Sequence, residues 1–213
     1  PGIMEHVERA GVHSGDSMAI YPSLTLNDDE IRTIVDYTTK IGLGLQVRGL
    51  MNIQYVVVRD PNYGSRSEET VRRKAEVYVI EVNPRASRTI PFISKITDIP
   101  MVRLSIGVML GKTLNQQGYQ GGLCKNRNLI GVKAPVFSMA KLAGVDTYLG
   151  PEMKSTGEVM GVDYSFSGAV SKALMASGLM LPPKGSVLLS VADHDKAEAI
   201  PIFKNLSKAG YTL

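Results

Sequence analysis

The residues best placed to do chemistry close an apolar run, where Val77-Tyr78-Val79-Ile80 passes into Glu81-Val82-Asn83-Pro84-Arg85-Ala86-Ser87-Arg88. In an extended segment side chains alternate faces, so Val77, Val79, Glu81 and Asn83 are expected on one side. Tyr78, Ile80 and Val82 are expected on the other. A carboxylate at Glu81 and an amide oxygen at Asn83 would then point the same way, about 7 Å apart along the strand. Mg²⁺ held against nucleotide phosphates takes one or two carboxylates, with neutral oxygens and water completing its shell. Arg85 and Arg88 follow where the strand gives out, and their planar forks suit phosphate or carboxylate oxygens. Metal ligands beside anion clamps point to phosphoryl transfer.

A plainer reading makes Glu81 and the arginines a solvated ion-pair network. A second apolar run, Leu50-Met51-Asn52-Ile53-Gln54-Tyr55-Val56-Val57-Val58, weighs against it. Pairing it with residues 77 to 82 brings the Gln54 amide beside Glu81, a third oxygen on the same face.

Other elements must position these strands. Residues 3 to 9 read as a short strand, and Gly11-Val12-His13-Ser14-Gly15-Asp16-Ser17 as a glycine-flanked polar loop. Asn27-Asp28-Asp29-Glu30 supplies a helix cap with acids in the first turn. Ile31, Ile34, Val35, Ile41 and Leu45 then recur at helical spacing to about residue 46. The polar stretch 59 to 75 exceeds a tight turn and reads as a protruding loop. Pro91 and Pro100 sit where helices over 91 to 97 and 101 to 110 would open, the second closed by Gly111. Residues 115 to 131 read as a connecting loop, 132 to 137 and 157 to 162 as strands, and 167 to 177 as a helix capped by Ser165 or Ser167. Leu181-Pro182-Pro183-Lys184-Gly185 is the best domain boundary. Beyond it come a short buried-type strand at 186 to 191 and a helix from about 195 to 208, in which Pro201 marks either a kink or the true start.

Composition narrows the class. At 213 residues the chain can bury a full core. Its 44% hydrophobic and 21% charged residues are ordinary for a globular protein. A net charge of +4 with no dense basic run and no Trp gives nucleic-acid binding little support. Cys124 is the only cysteine, which rules out an intrachain disulfide and suits a reducing cytoplasm. No apolar run reaches the roughly 18 to 20 residues of a membrane span, and three histidines with one cysteine cannot form a zinc finger. Both ends read as cuts through a larger protein.

The chain resembles the large chain of carbamoyl-phosphate synthase, an ATP-grasp enzyme. The matching strings are AGVHSGDS at 10 to 17, LQVRGLMNIQ at 45 to 54, YVIEVNPRASRTIPFISK at 78 to 95, GPEMKSTGEVMG at 150 to 161 and GSVLLSV at 185 to 191. They keep the family's order and cover nearly the whole chain. LMNIQ, EVNPR and STGEVMG are similar to the second synthetase half, which phosphorylates carbamate. The resemblance implies an α/β (α+β) fold: the C-terminal part of an ATP-grasp module, with an antiparallel sheet and flanking helices, over residues 1 to 180. Residues 181 to 213 would be a linker and the first βα unit of a methylglyoxal-synthase-like regulatory domain.

It further implies that Gln54, Glu81 and Asn83 hold Mg²⁺ or Mn²⁺, with Gln54 and Glu81 also at the ATP site. Gly11, Val12, His13 and Ser14 would touch the nucleotide, and Arg85 and Arg88 the carbamate or its phosphorylated product. From the residues alone, His13 is either a phosphate or ribose ligand or a loop histidine capping backbone groups. The 59 to 75 loop is longer than the family pattern, and residues 115 to 143 depart from it most. The implied partners are ATP, carbamate derived from bicarbonate and, through a full-length chain, a small glutaminase subunit in an oligomeric enzyme serving pyrimidine and arginine biosynthesis. The lobe covering the phosphates should lie upstream, so these residues alone are expected to give no turnover. The rivals are another ATP-grasp ligase, such as a carboxylase or purine-pathway synthetase, and a non-catalytic interaction module with the same fold.

Overall fold

A computed structural model describes residues 2–59, 75–138, 148–180 and 182–213. The chain divides into two compact units, Pro1–Gly178 and Leu179–Leu213. The loop expected over 59 to 75 lies, apart from its two end residues, outside the described residues.

The first unit contains two antiparallel sheets. Strands β1 (Glu5–His6), β2 (Ala19–Tyr21), β5 (Ile130–Val136) and β6 (Gly157–Asp163) form a four-stranded sheet in the order β1-β2-β5-β6. Both of its faces are covered. Helix α4 (Phe166–Ser177) sets Ala169 and Ala173 against Ile20, Val132 and Ala134 on one face. Helix α2 (Thr89–Thr97) sets Phe92, Ile93 and Ile96 against Tyr21, Met160 and Val162 on the other. Gly161 permits the approach of α4, since a Cβ there would lie 2.1 Å from the Ala169 carbonyl oxygen. Ser165 caps α4 by accepting from Gly168 N–H, and Gly178 ends it in the left-handed region at φ 78°.

The second sheet is the hairpin-like pair β3 (Asn52–Val58) and β4 (Glu76–Asn83). Helix α1 (Asp28–Gly44) packs beside it, and the Thr38 hydroxyl meets the Tyr55 hydroxyl at 2.8 Å. As the sequence suggested, Asn27 opens α1, in a full capping box with Glu30. Helix α3 (Met101–Met109) follows α2 and runs into Gly111 at φ 89°.

The smaller unit differs from expectation. Helix α5 (Lys196–Lys208) forms with Pro201 inside it, so that proline does not mark its start. The buried strand expected at 186 to 191 is reduced to a parallel bridge between Ser186 and Thr212, with Leu188 97% exposed. An apolar run becomes a buried strand only when neighbours flank it. Among the described residues, Thr212 alone pairs with it.

Candidate active site

The expected pairing forms. Gln54 lies directly across from Glu81, and Asn52 across from Asn83. Cross-strand partners share a face at about 5 Å between Cβ atoms, so the Gln54 amide and the Glu81 carboxylate are side by side. The Asn83 Nδ2 donates to Glu81 Oε1 at 2.7 Å. That bond employs the amide nitrogen and leaves the Asn83 carbonyl oxygen and Glu81 Oε2 for another partner.

One detail corrects the simple alternation. The register slips between Gln54 and Tyr55, so Tyr55 faces Val79 while Gln54 faces Glu81, and Ile80 is the extra residue of a bulge. Val77 and Val79 therefore share the Tyr55 face, toward α1, and not the face of Glu81 and Asn83. The bulge separates an apolar half-strand from a polar one.

Among the described residues, no group of three or more His, Cys, Asp or Glu is placed to hold a metal. One carboxylate with two amide oxygens is too weak for a dedicated cage. It fits Mg²⁺ or Mn²⁺ that takes its remaining ligands from phosphates and water.

β4 runs directly into the arginines. Arg85 is exposed and its Nη1 donates to the Ala86 carbonyl at 3.1 Å. Arg88, just before α2, reaches the larger sheet: Nη2 donates to Ser155 Oγ at 2.9 Å and contacts Met153 Sδ at 2.9 Å, and Nε lies 3.7 Å from Glu158 Oε1. The two arginines thus stand in different settings, one on solvent and one docked.

The glycine-flanked loop is fixed from the far end of the chain. Asp16, fully buried, accepts from Lys154 N–H and Ser155 N–H at 2.8 Å each. Burial pushes its carboxyl up, but the Ser155 hydroxyl and these two amides outweigh that and hold it below the usual carboxylate range. Ser155 Oγ donates to the Gly15 carbonyl at 2.9 Å, and His13 N–H to the Gly150 carbonyl at 2.8 Å. His13 Nδ1 accepts from Gly15 N–H at 3.0 Å, so His13 caps the loop through Nδ1 and keeps Nε2 for another contact. Gly11 adopts φ 105°, Val12 N–H donates to the Arg9 carbonyl at 3.3 Å, and the Ser14 carbonyl accepts from Lys133 Nζ at 2.9 Å.

Lys133, Glu158, Asp16 and Ser155 were not singled out from the sequence. Lys133 and Glu158 are two buried side chains, 2% and 9% exposed, paired at 3.3 Å. A lysine inside the apolar run Ile130-Gly131-Val132-Lys133-Ala134 was the available signal, because an unpaired charge is seldom buried. His6 also faces this cluster: burial, with Lys133 nearby, lowers its pKa to about 4.

The two antiparallel sheets and their flanking helices define an α/β domain, and a solved structure shares the fold. It is a single-chain, multi-domain long-chain acyl-CoA carboxylase, with a TM-score of 0.53 at 16% identity over 75% of this chain and 18% of that one. Two curated relatives are carbamoyl phosphate synthase large chains from Thermomicrobium roseum and Caldanaerobacter subterraneus subsp. tengcongensis, each 51% identical across the whole of this chain. The chain spans 18% of the length of these relatives. The family model described as carbamoyl-phosphate synthase L chain, ATP binding domain, matches residues 3–117, and the chain belongs to that family. No helix among the described residues is long and apolar enough to cross a membrane.

Proposed function

We propose that this chain forms the metal- and acceptor-binding part of an ATP-dependent carbamate kinase site within a carbamoyl-phosphate synthase large chain. The observation that carries this reading is the pairing of Gln54 with Glu81, with Asn83 bonded to Glu81 and Arg88 following in the chain just past the end of the same strand. A carbamate oxygen attacks the γ-phosphorus of ATP, the bond to the β,γ-bridging oxygen breaks, and carbamoyl phosphate and ADP result. Little covalent work falls to the protein in such a transfer, so catalysis lies in positioning and charge neutralisation.

Gln54, Glu81 and Asn83 would hold Mg²⁺ or Mn²⁺, which when bound neutralises phosphate charge. Arg88 presents its guanidinium to the anionic acceptor while Ser155 and Glu158 fix its direction. Arg85, which bonds to no other side chain among the described residues, swings onto the transferred group. Residues 11 to 14 lie against the nucleotide, with His13 Nε2 donating to a phosphate or ribose oxygen. The product would feed pyrimidine and arginine biosynthesis in the cytoplasm, with a glutaminase subunit supplying nitrogen to the full-length enzyme.

The test is Glu81→Gln in the full-length large chain carrying this sequence, assayed for carbamoyl phosphate. The expected result is near-complete loss with normal folding. Unchanged formation would remove Glu81 from the mechanism.

A further inference from the structure

The buried cluster beneath Arg88 has more charges than packing requires. Glu158 Oε1 lies between two cations, Lys133 Nζ at 3.3 Å and Arg88 Nε at 3.7 Å. Glu158 Oε2 is buried and has no hydrogen-bond partner among the described residues. Arginine facing a carboxylate ordinarily closes a two-bond fork on both oxygens. Arg88 does not: its Nη2 turns to Ser155 Oγ and Met153 Sδ. A closed fork would fill the orphaned oxygen and neutralise the guanidinium. Lys133 is fixed by the Ser14 carbonyl at 2.9 Å as well as by Glu158, so its ammonium competes for the same carboxylate from a set position.

We propose that Lys133 is a positioning residue that shares Glu158 with Arg88 and so leaves the Arg88 charge only partly compensated and open toward an anionic acceptor. Lys133, Glu158 and Arg88 together carry one excess positive charge, and that excess faces the acceptor. Among the described residues, Glu8 is the other acid that acts on Lys133, and its Oε2 accepts from Met18 N–H at 2.7 Å. Through the Ser14 carbonyl, the same ammonium ties the loop assigned to the nucleotide to the arginine assigned to the acceptor. This inference rests on the functional reading above.

The test runs the reaction backward in the full-length large chain, forming ATP from ADP and carbamoyl phosphate, with the KM of each substrate measured separately. Lys133→Met is expected to raise the KM for carbamoyl phosphate about tenfold and that for ADP less than about threefold. Lys133→Met combined with Glu158→Gln removes the unshared carboxylate yet keeps an amide oxygen for Arg88. It is expected to return the carbamoyl phosphate KM to within about threefold of the unsubstituted enzyme. A purely structural lysine would give no such rescue. An unchanged KM in K133M, or equal rises for both substrates without rescue, overturns the proposal. If K133M does not fold, the double variant decides, since exchanging both charges spares the core an unpaired ion; a tenfold-raised carbamoyl phosphate KM there overturns the proposal. Absence of ATP formation by the unsubstituted enzyme would overturn the functional reading and this inference with it. Normal wild-type turnover with an unaffected K133M would overturn this inference alone.

Discussion

The two sheets of the larger unit are built in opposite ways. The β3–β4 pair is thin: it has two strands, one helix beside it, and exposed Val58, Tyr78 and Ile80 along it. The four-stranded sheet is sandwiched between α2 and α4 and holds a buried Lys133–Glu158 pair. The candidate cation ligands stand on the thin sheet, while Arg88 leans on the thick one. Ligands that must release water and follow phosphates suit exposed strands, whereas a guanidinium aimed at a small anion needs fixed neighbours. Substitutions on the hairpin should therefore remove activity and spare stability, and substitutions that remove a buried polar or charged group around the thick sheet should affect both.

The largest contrast is expected at Glu81. In the full-length large chain carrying this sequence, Glu81→Gln should lower carbamoyl phosphate formation about a thousandfold if the proposed site acts. Its unfolding free energy should stay within about 1 kcal/mol of the unsubstituted protein, because an exposed carboxylate supports little packing. A melting transition that shifted as far as activity fell would break the comparison. Asp16→Ala should show the reverse emphasis. It strips two amides, Ser155 buried and Lys154 half-buried, of their acceptor 139 and 138 residues away in sequence. A stability loss of roughly 3 kcal/mol in denaturant titration is expected.

His6 sharpens the thick-sheet side through pH. Its pKa falls from 6.5 to about 4 on folding, so between those values the unfolded chain binds more protons than the folded one. Stability conferred by neutral His6 is complete above pH 6.5, declines as pH falls toward 4, and the share at stake is about 3 kcal/mol. His6→Gln should flatten denaturation midpoints across that interval. An unchanged slope would place the titration elsewhere. The smallest effect is expected at Gly15, where an added Cβ would lie 2.6 Å from Arg88 Nη2 and 2.9 Å from Met153 Sδ. Gly15→Ala should push the guanidinium aside and lower activity about tenfold, with stability little changed.

These differences also mark what the sequence could reveal. The Gln54–Glu81 pairing was legible because two apolar runs each carry a hard oxygen donor, and strand periodicity brings such donors to one face. The Asn27 cap and the limits of α1 were legible from local chemistry. The bulge at Ile80 was not, since Val-Tyr-Val-Ile has no residue that marks an interruption and the slip is set by pairing with β3. Nor was the Asp16 staple, which joins residues far apart in the chain. Lys133 was not singled out either: its one signal was a charge in an apolar run, and its meaning depends on Glu158, 25 residues on. The 186 to 191 segment misled for the opposite reason: its apolar character describes a strand with neighbours on both sides.

The central claim is that one cation is shared by the oxygens of Gln54, Glu81 and Asn83. Crystals of the full-length chain grown with Mn²⁺ and ADP, measured for manganese anomalous scattering, test it most directly. The account predicts a peak within roughly 2.0 to 2.4 Å of an oxygen from each of the three residues. A peak coordinated elsewhere, or one that persists in place when Glu81 is replaced by Gln, would contradict it.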